Sequence, residues 1–288
     1  MDIRPSPIAG RWYPGQAPAL AAAVDEYLEA AQVETPPGEV VGLVAPHAGH
    51  IYSGSVAAHA FRAVRQAPVE TVAILCPSHF HDDGGLLTSG HTAYATPLGA
   101  VEVDREAVGR VRGGLAVALE EREAEALIEI RNDQEHAIEI ELPFLQRTLV
   151  SGFKLIPVMI RDQSKRIAQA LGLALAKSLR DAGRRALVVA SSDLSHYQPQ
   201  AVALKLDDLM LQQIDALDPE GVIAAEREAE TKLGVGLACG YGAIAAALWA
   251  AKELGATRAK VVKHATSGDV SGDYSGVVGY GAAVIWKT

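Results

Sequence analysis

Three short apolar runs rich in β-branched residues each break into a tight turn that delivers a histidine. Val40 to Val44 runs into Ala45-Pro46-His47, Thr71 to Leu75 into Cys76-Pro77-Ser78-His79, and Ala186 to Val189 into Ser191-Ser192-Asp193-Leu194-Ser195-His196. Runs this short, bounded by proline and small polar residues, predict strands buried on both faces, as in an α/β sheet with parallel strands. Ligands of such sheets gather beyond the carboxyl ends of the strands. Three strand ends therefore aim imidazoles at one edge, and an active site is predicted there.

The rest of the chain supplies the helices such a sheet needs. Helical patterns near Pro18 to Ala31, Ser55 to Val64, His136 to Leu149 and Ser164 to Ala182 alternate with the three runs and with a further strand, Lys154 to Ile160, which predicts βαβ crossovers. Helices follow near Val202 to Leu217, Pro219 to Ala229 and Tyr241 to Leu254; Asp218 and Pro219 open the second, and Gly255 stops the third. Strands near Ala259 to Ala265 and Gly276 to Trp286, joined by a Gly/Ser/Asp-rich loop, predict a terminal antiparallel hairpin on a mixed sheet. No linker separates two cores in these 288 residues, so one domain over 1–288 is expected.

A formal charge of −9 without a Lys/Arg cluster argues against nucleic acid and anionic membrane surfaces as partners. No stretch approaches the roughly 18 apolar residues of a membrane span, and the amino terminus lacks the apolar core of a signal peptide. A cytoplasmic protein is expected. Its two cysteines, Cys76 and Cys239, both lie in Gly/Pro-containing turns expected to face the same site, and a structural disulfide is not expected in a reducing compartment.

A lone histidine at a strand end is more often structural, but His47, His79 and His196 repeat one pattern. Histidines and a cysteine far apart in sequence are typical of metal ligands, because imidazole and thiolate both donate to borderline metals. Cys239, in Gly236-Leu237-Ala238-Cys239-Gly240-Tyr241-Gly242 just ahead of a helix, is the preferred sulfur, its thiol expected to be acidified by the helix end. The alternative is a small buried core cysteine. Cys76 is expected to line the wall. Asp193, three residues before His196, is placed to orient that ring as a general acid/base, although capping of the next helix would also explain it. His136 and Glu139, one helical turn apart after a capping-box spacing of Asn132 and Glu135, are assigned to the pocket wall or to support of the ligands. His50 and His81 are placed beside the ligands, and His59, His91 and His264 in structural roles. Gly234-Val235-Gly236 lacks the preceding strand and third glycine of a dinucleotide site, and the loop from Ser267 to Asp273 lacks the distal glutamate of a calcium loop.

Taken together, these segments resemble the Memo family, which includes proteins labelled AmmeMemoRadiSam system protein B. The resemblance rests on Gly10-Arg11-Trp12-Tyr13, Ala45-Pro46-His47-Ala48-Gly49, Pro77-Ser78-His79, Glu135-His136 with Leu142-Pro143-Phe144, Ser191-Ser192-Asp193-Leu194-Ser195-His196, and Cys239-Gly240. It spans nearly the whole chain. The Memo family in turn is similar to the class III extradiol dioxygenases, which implies a three-layer α/β/α fold with a mixed, largely parallel central sheet. It also implies non-haem Fe(II), with His47 and His79 as imidazole ligands and His196 as acid/base. Cys239 departs from the dioxygenase pattern, since a thiolate stands where a carboxylate would; it keeps the negative charge but favours copper or zinc alongside iron. Trp12 and Tyr13 are placed near the pocket. The functional expectation is an iron-dependent, dioxygenase-like oxidoreductase acting on a small molecule. Its alternatives are a non-catalytic module that binds iron, copper or a peptide, and a zinc hydrolase. The resemblance also implies radical-SAM and AMMECR-type partners.

Overall fold

The computed structural model describes residues 2–80, 83–150 and 152–288. Along the chain run β1 (Ile3–Arg4), α1 (Ala17–Ala30), β2 (Glu39–Ala45), α2 (His50–Arg62) and β3 (Thr71–Pro77). An excursion follows, of short strands and two helices: β4 (Leu86–Ser89), β5 (Ala93–Tyr94), β6 (Val101–Glu102), α3 (Arg105–Leu119), α4 (Glu123–Ala126) and β7 (Ile128–Ile130). The alternation then resumes with α5 (Leu142–Thr148), β8 (Lys154–Ile160), α6 (Lys165–Ala182), β9 (Ala186–Ser191) and the short β10 (His196–Gln198). The chain closes with α7 (Gln200–Asp215), α8 (Pro219–Leu233), α9 (Tyr241–Glu253), β11 (Arg258–Thr266), α10 (Gly268–Ser271) and β12 (Val277–Lys287).

Among the described residues the strands form a nine-stranded mixed sheet of order β10-β12-β2-β9-β3-β8-β4-β7, with β11 also paired to β12. Its centre, β2-β9-β3-β8, is parallel, and antiparallel neighbours lie outside it, including the expected β11/β12 hairpin. The central strands are buried along nearly their whole length, which is why they read as continuous apolar runs rather than alternating ones. A separate three-stranded sheet, β1-β5-β6, ties the amino terminus to the excursion.

Helices flank the large sheet in two groups. One contains α3, α6, α8 and α9, with α9 against β2, β3 and β9; the other contains α1, α2 and α5, with α2 against β2, β11 and β12. The Ala-rich α9 is buried on all sides because α6 covers it. That crossing needs Gly172: a Cβ there would sit 2.6 Å from the Ala246 carbonyl oxygen and 2.7 Å from Trp249 Cβ. The caps of α8 are as the sequence predicts, with Asp218 accepting from the Gly221 amide and Pro219 in the first turn. No helix among the described residues is long and apolar enough to cross a membrane.

One predicted helix is much shorter than expected. The pattern from His136 to Leu149 yields only α5, preceded by a 3-10 turn over Glu139–Glu141, while Asn132 adopts a left-handed conformation (φ 54°) instead of capping a helix. The cause is local competition. The Glu135 side chain accepts from the amides of His136 and Ala137, diverting them from a helix start.

Candidate metal centre

Parallel register assembles the site. β2, β9 and β3 are neighbours, with Ala45 opposite Ser191 and Leu75 opposite Ala190, so their carboxyl ends lie side by side. His47, Asp193 and His79 each follow the last residue of their strand by two positions. Asp193 Oδ1 accepts from the backbone amides of His47 (2.8 Å) and Ala48 (3.3 Å), lacing one strand end to the next.

His47, His79 and His136 converge: each offers a ligand atom, and the three lie within 4.8 Å of one another. Ring centroids are 5.2 Å apart for His47 and His79, 5.3 Å for His47 and His136, and 4.7 Å for His79 and His136. On His47 and His79 the Nδ1 side is hydrogen-bonded elsewhere and on His136 it faces Glu135, which turns Nε2 toward the common point. Ser191 Oγ donates to the Ala137 carbonyl and therefore accepts from His47 Nδ1, 3.0 Å away. Glu135 lies 3.0 Å from His79 Nδ1 and 3.3 Å from His136 Nδ1, and it also accepts from the His79 amide.

The electrostatics suit cation binding. Burial, reinforced by the neighbouring rings, brings His47 and His136 down to about 3, so both are neutral donors at physiological pH. His79 goes the other way; burial would lower it, but the Glu135 carboxylate prevails and raises it. Burial alone would raise Glu135, yet its bonds to His79 and the charge of both rings hold it at about 2. A permanent carboxylate thus stands behind two imidazoles, an arrangement that increases ligand basicity.

The segment carrying Glu135 and His136 is pinned by buried charge. Arg4, fully buried, bonds Asp133 (2.8 and 3.0 Å) and Glu139 (2.8 Å) and donates to the Glu135 carbonyl. Glu139 also accepts from Tyr13 Oη at 2.5 Å and from Ser6 Oγ.

Over residues 4–284 the chain matches the family model described as Memo-like protein. The chain belongs to the Memo family. Relatives named MEMO1 family protein match it nearly end to end. That of Methanococcoides burtonii is 36% identical, with 98% of this chain and 100% of the relative covered. That of Nitrosopumilus maritimus is 34% identical, covering 97% and 98%, and that of Ignicoccus hospitalis 36% identical, covering 98% of each.

In this Memo-family chain the imidazole cluster opens into a cavity of about 620 Å³, whose walls include Trp12, Tyr52, Asp193, His196 and Tyr280. The Trp12 ring lies 4.2 Å from that of His136. Cys239 Sγ is 3.2 Å from His47 Nε2, beside the three-imidazole cluster rather than within it. The expected acidification of Cys239 does not occur: burial and the Asp193 carboxylate push its thiol well up. Asp193 does not hydrogen-bond His196. The His196 Nδ1–H donates to the Leu194 carbonyl at 2.8 Å, while Asp193 Oδ1 takes both the His47 and the Ala48 amide.

Other expectations are redistributed. Glu139 and Tyr13 lie in the Arg4 network and not on the cavity wall. His50 is buried against Tyr13 and Phe144, its Nε2–H donating to the Ile140 carbonyl. His81 lies outside the described residues. Cys76 is enclosed within β3 and does not reach the cavity. Glu135 is legible as a capping-box residue and in the Glu135-His136 segment but not as the partner of two imidazoles, and Arg4 carries no signal, because its partners lie about 130 positions away in the chain.

Proposed function

We propose that this protein is a metal-dependent oxidoreductase that holds Fe(II) at the imidazole cluster and acts on a small molecule in the adjoining cavity. The observation that carries the reading is the convergence of three imidazoles, two of them hydrogen-bonded through Nδ1, in the wall of a cavity large enough for a substrate. His47 and His79 are common to two donor sets. His136 completes an all-nitrogen set, which the geometry favours, and Cys239 a mixed nitrogen and sulfur set, which would require loss of the thiol proton to the ion. Bound iron would supply redox chemistry that no side chain here can provide.

The protein's own groups have definable tasks. Trp12, Tyr52 and Tyr280 supply flat apolar surface for the substrate. His196, with Nδ1 committed to the Leu194 carbonyl, keeps Nε2 for moving a proton at the cavity wall. Asp193 fixes the relative position of two strand ends, so its part is positioning. Copper and zinc remain alternative occupants by donor chemistry, zinc implying hydrolysis. The exposed Ile51, Tyr52 and Tyr197 beside the cavity favour a second reading, a non-catalytic module binding metal or a peptide. In either case we place the protein in the cytoplasm, with radical-SAM and AMMECR-type proteins as partners by family resemblance.

Anaerobic purification followed by metal analysis tests this. Near-stoichiometric iron in the wild type, lost in His47→Ala and in His136→Ala but retained in Cys239→Ser, supports the all-imidazole centre. Loss in Cys239→Ser with retention in His136→Ala assigns the mixed set instead. Wild type that takes up no Fe(II), Cu(I) or Zn(II) defeats the metal reading and leaves a binding pocket.

A further inference from the structure

Two buried carboxyl groups bound the 3-10 turn that leads into α5, and they are held differently. Glu139 has the Arg4 guanidinium as its partner, whereas Glu141 forms no ion pair among the described residues. Glu141 Oε1 lies 2.9 Å from Ser191 Oγ, and Oε2 is enclosed with no hydrogen-bond partner among the described residues. A carboxylate there would bury its full charge with one oxygen unsatisfied, a much heavier cost than burying the neutral acid.

The proton count at Ser191 requires the same state. Its hydroxyl has one proton and three partners: the Ala137 carbonyl at 2.7 Å, Glu141 Oε1 at 2.9 Å and His47 Nδ1 at 3.0 Å. The carbonyl can only accept, so it takes the hydroxyl proton and leaves the two lone pairs of Oγ for donors. His47 Nδ1–H is one of them. The other is a proton on Glu141 Oε1, without which two oxygens would face each other at 2.9 Å with lone pairs alone. Every contact then joins one donor to one acceptor. Burial and the Asp193 carboxylate act in the same direction, both raising Glu141 well above the usual carboxylate range.

We propose that Glu141 is a neutral acid whose proton holds Ser191 as an acceptor toward His47, and that it thereby positions the His47 ring with the Nε2 lone pair facing the cluster. The ladder between β2 and β9 sets where the His47 turn stands; Glu141 sets which ring nitrogen carries the proton. The contrast with Glu135 is one of charge. Glu135 stands behind His79 and His136 as a carboxylate, whereas the outer chain of His47 is uncharged. The assignment of the proton stands on this geometry alone; only its effect on metal binding rests on the metal-centre reading.

The first test needs no metal. An acid that stays neutral in the native protein but ionises in the unfolded chain contributes fully to stability below its unfolded value of 4.5, and that contribution is lost as pH rises toward the native value. The comparison is between wild type and Glu141→Gln, whose side-chain amide keeps a donor for Ser191; Asp193, which acts on Glu141 by charge, is present in both. Between about pH 5 and 7 the unfolding constant of metal-free wild type, relative to that of Glu141→Gln, is expected to rise about tenfold per pH unit. Parallel profiles would overturn the proposal.

The second test reads the ring by NMR of isotope-labelled histidine in the metal-free protein. His47 is expected to carry its proton on Nδ1 in wild type and in Glu141→Gln, and to become a mixture of tautomers in Glu141→Met, which offers Ser191 no donor. An unchanged tautomer in Glu141→Met would overturn the positioning role. Fe(II) dissociation constants, read by chelator competition, should follow the ring: within about threefold of wild type in Glu141→Gln, and weaker by about tenfold in Glu141→Met. Equal constants in the two variants would overturn the bearing of Glu141 on the metal. A loss of 10- to 100-fold in Glu141→Gln, the effect of removing an anionic partner, would show an ionised Glu141 and overturn the proposal. A wild type that takes up no Fe(II), yet shows the pH divergence and the tautomer change, would defeat the metal-centre reading and leave the assignment of Glu141 standing.

Discussion

The two arms of the imidazole cluster are held by different physics. His47 and His79 leave the ends of β2 and β3, where hydrogen-bonded ladders and apolar burial dictate the position of each turn. His136 sits on irregular chain held by Arg4, Asp133, Glu135 and Glu139. A ladder spreads its strength over many equivalent groups, so no single side chain is indispensable. A buried ion network concentrates its strength in one guanidinium, and removing that group strands the others.

Removing Arg4 is the strongest way to separate the arms. Arg4→Met leaves Asp133 and Glu139 buried without a cation, and we expect a loss of about 3–5 kcal/mol in urea denaturation. A loss below about 1 kcal/mol would show that the irregular arm does not depend on its ion network. Leu43→Ala, in the fully buried part of β2, should cost about 2–5 kcal/mol through the cavity it leaves. Metal affinity of the folded Leu43→Ala protein should nevertheless stay near wild type, whereas in folded Arg4→Met it should drop; equal behaviour of the two would erase the contrast. Glu135→Gln keeps the shape of the irregular arm but removes the carboxylate behind His79 and His136. A 10- to 100-fold weaker metal dissociation constant is expected, read by chelator competition.

The smallest effect is one of pH. His47 and His136 have native values near 3, against 6.5 when exposed. Between these limits the unfolded chain binds protons that the native metal-free protein does not, so each ring makes stability fall as pH falls, by up to ~1.4 kcal/mol per pH unit. His79, with its raised value, acts with the opposite sign: its contribution is present below 6.5 and is lost as pH rises through its native value. Comparing wild type with His136→Asn isolates one ring. The stability of the variant should fall less steeply between pH 6 and 4, by about one proton; parallel profiles would mean that His136 is not buried in its neutral form.

The sequence was most readable where structure is periodic. The strands β2, β3, β8 and β9, the closing hairpin and α6 through α9 follow from apolar spacing and from caps such as Asp218 and Gly183. In the excursion between β3 and α5 the two- to four-residue strands are too short to show a period, whereas α3, 15 residues long and capped by Asp104, carries a helical signal that the alternation of the surrounding elements does not require. His136 reads as a supporting residue because its segment has the pattern of a helix start, and only the side-chain competition from Glu135 bends it into the site.

By itself the sequence determined that histidines would meet at one edge of an α/β sheet, because strand direction and the residues after each strand are local properties. Tertiary structure decided which groups share the site: the order β2-β9-β3 that sets His47 beside His79, and the Arg4 network that brings in His136. It also placed Cys239 beside His47 yet facing a second cavity. Those choices depend on contacts between residues 50 to almost 200 positions apart, and on burial that reverses the expected acidity of a thiol at a helix start; neither is encoded in any short window of chain.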